Sequence, residues 1–201
     1  AAGLPARYQQ IPYIYADNSK DNTYVLTDYT PNPQTVSIEA LVRFTNVKDT
    51  QALYCARGKD SSTQTYTMFF IKDTKQLRFD YNSSVAQYVD LPIGADKNVL
   101  IETEGRKCTL TTASGSASDD YTGSEYDDPA FTAAGGKLQL YASYTGSAGK
   151  STGNAGRYRL YYLKVYELNP ETGIKTLKYD LIPVVGDDGK AGLCDTLTDT
   201  M

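Results

Sequence analysis

Apolar and polar residues alternate along much of this chain with a period of two, the pattern of strands that bury one face. Between residues 35 and 47, Val36, Ile38, Ala40 and Val42 hold one face while Ser37, Glu39, Leu41 and Arg43 hold the other. The longest run of β-branched, aromatic and aliphatic residues, 157–167, also alternates. There Tyr161, Leu163 and Val165 point one way, and Tyr158, Tyr162, Lys164 and Tyr166 the other. A strand with two such faces belongs in the middle of a sheet. Further strands are predicted at 23–26, 52–56, 66–71, 76–81, 88–91, 98–103, 107–111, 137–144 and 174–182. Turn residues at 72–75 and 104–106 predict two hairpins. Pro5 and Pro12 make the opening segment an edge strand. The Ser-, Asp- and Gly-rich stretch 113–129 reads as a long surface loop, and 146–156 as a second. No stretch carries the 3.6-residue period of a helix. Ten to thirteen strands with turns at short intervals predict an all-β fold, a two-sheet antiparallel β-sandwich.

The chain has 201 residues and no shift of composition or linker divides it, so a single domain over 1–201 is expected. Hydrophobic residues make up 40% and charged residues 22%, the balance of a folded chain with a core. The aromatic content is unusual: 18 Tyr against 5 Phe and no Trp. Tyrosine favours strands, and it can give a ring to the core while its hydroxyl stays at a wet edge. Net charge is −4 with both signs interspersed. No basic stripe offers a phosphate-binding face, so nucleic acid is not an expected partner. No apolar run is long enough for a membrane span. The chain begins Ala1-Ala2-Gly3 rather than with Met, so the missing leader says nothing about export.

The absence of histidine excludes Ser-His and Cys-His nucleophile pairs and His-ligated metals. An enzyme built on this chain would have to use carboxylates, Lys or Tyr. Cys55, Cys108 and Cys194 lie far apart with no Cys-x-x-Cys, which predicts buried free thiols; one disulfide with one free thiol is the alternative.

Four stretches carry a resemblance. They are Leu4-Pro5-x-x-Tyr8 with Tyr13-Ile14, Tyr24-Val25, Thr27 and Pro31-Asn32; Leu77-Arg78-Phe79-Asp80-Tyr81; Gly156-Arg157 followed by Leu163-Lys164-Val165-Tyr166; and Asp180-Leu181-Ile182-Pro183 followed by Gly189, Gly192-Leu193 and Asp195. In order and spacing they resemble the laminin-G-like branch of the concanavalin A-like lectin/glucanase superfamily, the jelly-roll domain common in surface proteins of gut bacteria. The resemblance covers nearly the whole chain. It implies two curved antiparallel sheets, a concave face and rim loops that often take carbohydrate, a secreted or cell-surface location on a bacterium, and frequently a structural calcium. It does not by itself fix function, because this fold hosts lectins, adhesion modules and glycoside hydrolases.

Glucanases of that superfamily carry Glu-x-Asp-x-Glu or Glu-x-Asp-x-x-Glu on one strand, two carboxylates serving as nucleophile and general acid/base. Here the closest approach is Glu125-Tyr126-Asp127-Asp128-Pro129-Ala130, where Pro129 or Ala130 replaces the second Glu. Glu102 and Glu104 share a strand face with Thr103 between them, and read as a solvated strand end. The expectation is therefore a non-catalytic module; a divergent glycoside hydrolase or a purely structural module are the alternatives. Asp119, Asp120, Asp127 and Asp128 are the candidate oxygen donors for calcium, a cation that takes six to eight oxygens. Tyr81, Tyr88, Tyr121, Tyr126, Tyr144 and Tyr162 are the candidate ligand-binding rings, since sugars stack their C–H faces on aromatic side chains. The expected partners are carbohydrate or a surface or matrix protein.

Overall fold

The computed structural model describes residues 4–17, 23–57, 65–81, 85–120, 136–144 and 153–200, apart from the side chains of 81, 85 and 86. The described chain is all-β, and its strands form two antiparallel sheets. The larger, nine-stranded sheet runs β1 (Tyr8–Gln10), β14 (Lys175–Gly186), β13 (Tyr158–Leu168), β4 (Val36–Phe44), β9 (Asn98–Glu104), β10 (Lys107–Thr112), β11 (Gly115–Asp120), with β2 (Ile14–Tyr15) and β15 (Ala191–Asp195) attached to β13 and β14. The smaller, six-stranded sheet runs β3 (Val25–Leu26), β12 (Gln139–Leu140), β5 (Gln51–Ala56), β6 (Tyr66–Ile71), β7 (Gln76–Tyr81), β8 (Val85–Tyr88).

The two faces that meet build one apolar cluster. β4 gives Val36, Ile38, Ala40, Val42 and Phe44; β9 and β10 give Val99, Ile101, Cys108 and Leu110; the smaller sheet answers with Leu53, Tyr54, Tyr66, Met68, Phe70, Leu77 and Phe79. Alternation along β4 and β9 matches the expected phase. Both predicted hairpins form, β6–β7 and β9–β10. In the second, Gly105 takes φ 54°, the left-handed conformation that a two-residue hairpin turn requires and that glycine adopts without steric cost.

Tyrosine hydroxyls do more than reach a wet edge. Tyr158 on β13 is fully buried, and its hydroxyl donates to the Leu53 carbonyl of β5 at 2.6 Å, tying one sheet to the other. Tyr66 on β6 makes a second tie, its hydroxyl 2.8 Å from Thr103 Oγ1 on β9. Tyr141 stacks on Tyr158 with ring centroids 4.2 Å apart and planes 6° from parallel, and its hydroxyl donates to the Ile14 carbonyl. A bonded hydroxyl can stay in the core because its desolvation is compensated.

Four expectations are corrected. Tyr158 and Leu160 point inward, because the β13–β4 register shifts between Leu160 and Tyr162; Tyr161 is the extra residue, and Leu163 and Val165 resume the inward phase. Residues 115–120 form the edge strand β11 within the stretch read as loop. It pairs with β10 along its full length and zips its polar face with Thr109–Ser118 and Thr111–Ser116 hydroxyl contacts of 2.8 and 3.1 Å. The clear strand expected over 137–144 is paired as strand only at Gln139–Leu140, because Tyr141 turns to φ 68°. The strand expected at 88–91 lies instead at Val85–Tyr88. The three cysteines are free and buried.

Candidate functional site

The outward face of the nine-stranded sheet is where alternation and register bring chemistry together. β4 presents Ser37, Glu39, Leu41 and Arg43 outward because its odd-numbered partners of the core residues cannot turn inward without a register slip. β9 presents Leu100, Glu102 and Glu104, and β10 presents Lys107, Thr109 and Thr111. After the bulge, β13 presents Tyr162, Lys164 and Tyr166.

Register lines these side chains up in rows across the strands. One row is Lys164–Glu39–Glu102–Thr109–Ser118, spanning β13, β4, β9, β10 and β11. Beside it runs Tyr166–Ser37–Glu104–Lys107–Asp120. On the other flank runs Tyr162–Leu41–Leu100–Thr111–Ser116. Ser37, Glu39, Glu102, Glu104, Lys107, Thr109, Tyr166 and Lys175 line an open groove of about 360 Å³ on this face.

The charges in the groove are partly engaged. Lys175 pairs with Glu104; outside the groove, Arg106 pairs with Asp120 at 3.2 Å. Tyr162 donates its hydroxyl to Glu39 Oε1 at 2.8 Å. Partial burial and the Glu39 carboxylate push the Tyr162 pKa well up, so it remains a protonated donor at neutral pH. Lys164 places its ammonium 5.6 Å from the centre of the Tyr162 ring. Glu102, exposed at the middle of its row, forms no ion pair recorded among the described residues. The groove can thus donate and accept hydrogen bonds side by side, next to the flat surface of Leu41, Leu100 and Tyr162.

The rings singled out from the sequence are not gathered in one place. Tyr162 sits on this face. Tyr88 is 41% exposed on β8, at the edge of the other sheet, opposite Arg78. Tyr144 is fully buried; its hydroxyl donates to the Lys137 carbonyl at 2.6 Å and accepts the Arg57 N–H at 3.1 Å. The backbone of Tyr81, on β7, pairs with Tyr66 on β6, and its side chain lies outside those described. Tyr121, Tyr126, Asp127 and Asp128 also lie outside the described residues. Asp119 and Asp120 are neighbours on β11 and point to opposite faces of the strand, so they do not converge on one cation. Among the described residues no group of three or more His, Cys, Asp or Glu side chains could hold a metal ion.

Glu39, Glu102, Lys164, Thr109 and Ser118 were not among the residues chosen from the sequence. Each occupies a polar position on a strand, but their alignment depends on which strands pair and in what register.

Among solved structures, the chain is similar to the native heptameric SAP-like pentraxin from Limulus polyphemus, with 13% identity, a TM-score of 0.56, and coverage of 95% of this chain and 97% of that one. It is also similar to domains LG4-5 of the mouse laminin alpha1 chain (14% identity, TM-score 0.44, 98% of this chain and 48% of that one). A third similar structure is the CBM40 of Ruminococcus gnavus IT-sialidase (11% identity, TM-score 0.47, 83% and 94%). No family model and no curated protein sequence matches the chain. The fold is a two-sheet antiparallel sandwich like that of the pentraxin.

Proposed function

We propose that this chain is a recognition module that binds carbohydrate on the outward face of the nine-stranded sheet and performs no bond chemistry. One observation carries the reading: the groove sets unlike hydrogen-bonding groups, Glu102, Glu39, Thr109 and Lys107, on the same sheet face as Lys164 and an adjoining row of Leu41, Leu100 and Tyr162. A sugar ring has that same division, with hydroxyls around its rim and C–H groups on its faces. The groove is built on strands rather than loops, so its polar groups are pre-positioned and little ordering cost falls on binding. The resemblance to domains of bacterial surface proteins supports a secreted or surface-attached setting.

The test is a glycan array followed by titration calorimetry on the hits. A saturable hit, weakened at least tenfold by Glu102→Ala with the circular dichroism unchanged, supports the reading. Silence across the array refutes it.

A second reading rests on one pair. Glu39 and Glu102 are direct cross-strand partners on the outward face, and such partners hold their Cβ atoms about 4.5–5.5 Å apart. Two facing carboxylates are the apparatus of glycoside hydrolysis. Recognition is favoured because this face is open, whereas an acid catalyst needs a water-poor pocket to keep its proton. Release of reducing ends from a polysaccharide panel, abolished by Glu102→Gln, would reverse that preference.

A further inference from the structure

We infer that the ligand is a linear, neutral polysaccharide lying across the strands along the row Lys164–Glu39–Glu102–Thr109–Ser118. This inference rests on the recognition reading above and adds the direction, length and class of ligand.

Direction follows from the rows. Along any one strand, outward positions alternate in character: β4 offers Ser37, Glu39, Leu41 and Arg43, and β9 offers Glu104, Glu102, Leu100 and Asn98. A chain laid along a strand would meet polar, charged and apolar groups in succession. Across the strands the character is constant. Lys164, Glu39, Glu102, Thr109 and Ser118 are all polar, while Tyr162, Leu41 and Leu100 in the adjoining row present an apolar surface. A polymer of sugar rings carries hydroxyls along its edges and C–H surface on its faces for its whole length. It matches the cross-strand direction and mismatches the other.

Length follows from strand spacing. The stretch from Lys164 to Ser118 crosses five strands, and neighbouring strands lie about 4.8 Å apart, so it extends roughly 19 Å, with the register continuing beyond Lys164 to Asp180 on β14. A track of that length meets several consecutive sugar rings rather than a single one. The far end depends on β11, where Thr109 Oγ1 and Ser118 Oγ lie 2.8 Å apart and together offer a further hydroxyl-binding position.

Class follows from charge. The flanking row has both of its carboxylates already paired, Glu104 with Lys175 and Asp120 with Arg106. The Tyr162 hydroxyl is on Glu39. Glu102, in the centre of the row, is an exposed carboxylate with no ion pair recorded among the described residues. A polyuronate would bring a negative charge against it, whereas neutral hydroxyls supply the donors that a carboxylate accepts.

The experiment is a size series of cello-, manno- and xylo-oligosaccharides from one to six units, titrated calorimetrically, with oligogalacturonate as the charged control and a broad glycan array alongside. Affinity for at least one neutral series is expected to rise tenfold or more between the disaccharide and the pentasaccharide, then level off. The Thr109→Val/Ser118→Ala variant is expected to lower pentasaccharide affinity several-fold and leave disaccharide affinity unchanged. Circular dichroism and an unchanged melting curve keep that comparison valid, and Ser118→Ala alone serves if the pair unfolds. Equal affinity from one unit to five, stronger binding of oligogalacturonate, or array hits confined to branched or single-sugar epitopes overturns the cross-strand track while leaving the recognition reading in place. Silence on the array overturns both.

Discussion

Replacing Tyr158 by Phe removes one oxygen atom from the interface between the sheets. The hydroxyl makes two hydrogen bonds, donating to the Leu53 carbonyl at 2.6 Å and accepting the Tyr141 N–H at 3.1 Å. Burial holds its pKa well up, so it is a donor throughout the working pH range. A hydrogen bond contributes about 0.5–1.5 kcal/mol net, and an orphaned buried partner costs more. Here neither partner is orphaned, because the Tyr141 N–H also reaches the Leu53 carbonyl at 3.2 Å. The ring, its stack on Tyr141 and its contact with Phe44 all survive in Phe. The expected loss is therefore about 1–2 kcal/mol. Tyr158→Ala, which empties a fully buried site, should cost about 3–5 kcal/mol. Urea titration followed by circular dichroism measures both, with the slope m unchanged. For a chain of this size each kcal/mol lowers Tm by about 2–4 °C. A Phe variant as stable as the parent would refute the cross-sheet hydrogen bond, and one as damaged as the Ala variant would show that the ring had not been held in place by packing.

Three other perturbations test separate parts of the structure. Gly156→Ala should destabilise by about 1–3 kcal/mol in the same titration, because a Cβ there would stand 2.7 Å from the Tyr158 ring and 2.8 Å from the Ala52 carbonyl; this gives the Gly156-Arg157 motif a packing reason. Cys108 is fully buried and its thiol is pushed up to about 12 from 9.0, chiefly by burial. With the folded value above the unfolded one, its contribution is fully present below pH 9 and is lost as pH rises towards 12, at up to about 1.4 kcal/mol per pH unit. Cys108→Ala should flatten that part of an alkaline stability profile, and native Cys108 should resist alkylation at pH 8 until urea is added. Ala117→Pro should remove one backbone donor of the β10–β11 ladder, because Ala117 and Leu110 form one of its hydrogen-bonded pairs. Amide exchange should then speed up over 107–120 while β6–β7 remains protected; uniform acceleration through both sheets would refute β11 as a peripheral strand.

Much of the fold could be read from local patterning. Val36, Ile38, Ala40 and Val42 lie in the core as their alternation requires, and Lys72–Lys75 and Gly105 turn the hairpins. The errors came from features that composition hides. β11 is written in Gly, Ser, Ala and Asp, and it becomes a strand because β10 supplies a ladder and matching hydroxyls. Tyr158 looked outward because the bulge at Tyr161 shifts the phase of every residue before it. Tyr144 and Tyr162 look alike in sequence, and only their surroundings separate a buried brace bonded to the Lys137 carbonyl from an outward ring whose hydroxyl meets Glu39.

Sequence by itself determined which side of each regular strand meets water, because side chains on an extended backbone alternate whatever lies beside them. Tertiary structure alone decided that Glu39 meets Glu102 and that Thr109 meets Ser118 in one continuous row. Those neighbours are chosen by which strands pair and at what register. Pairing and register are set by the fit of the whole apolar interior, so no residue in the row carries the information on its own.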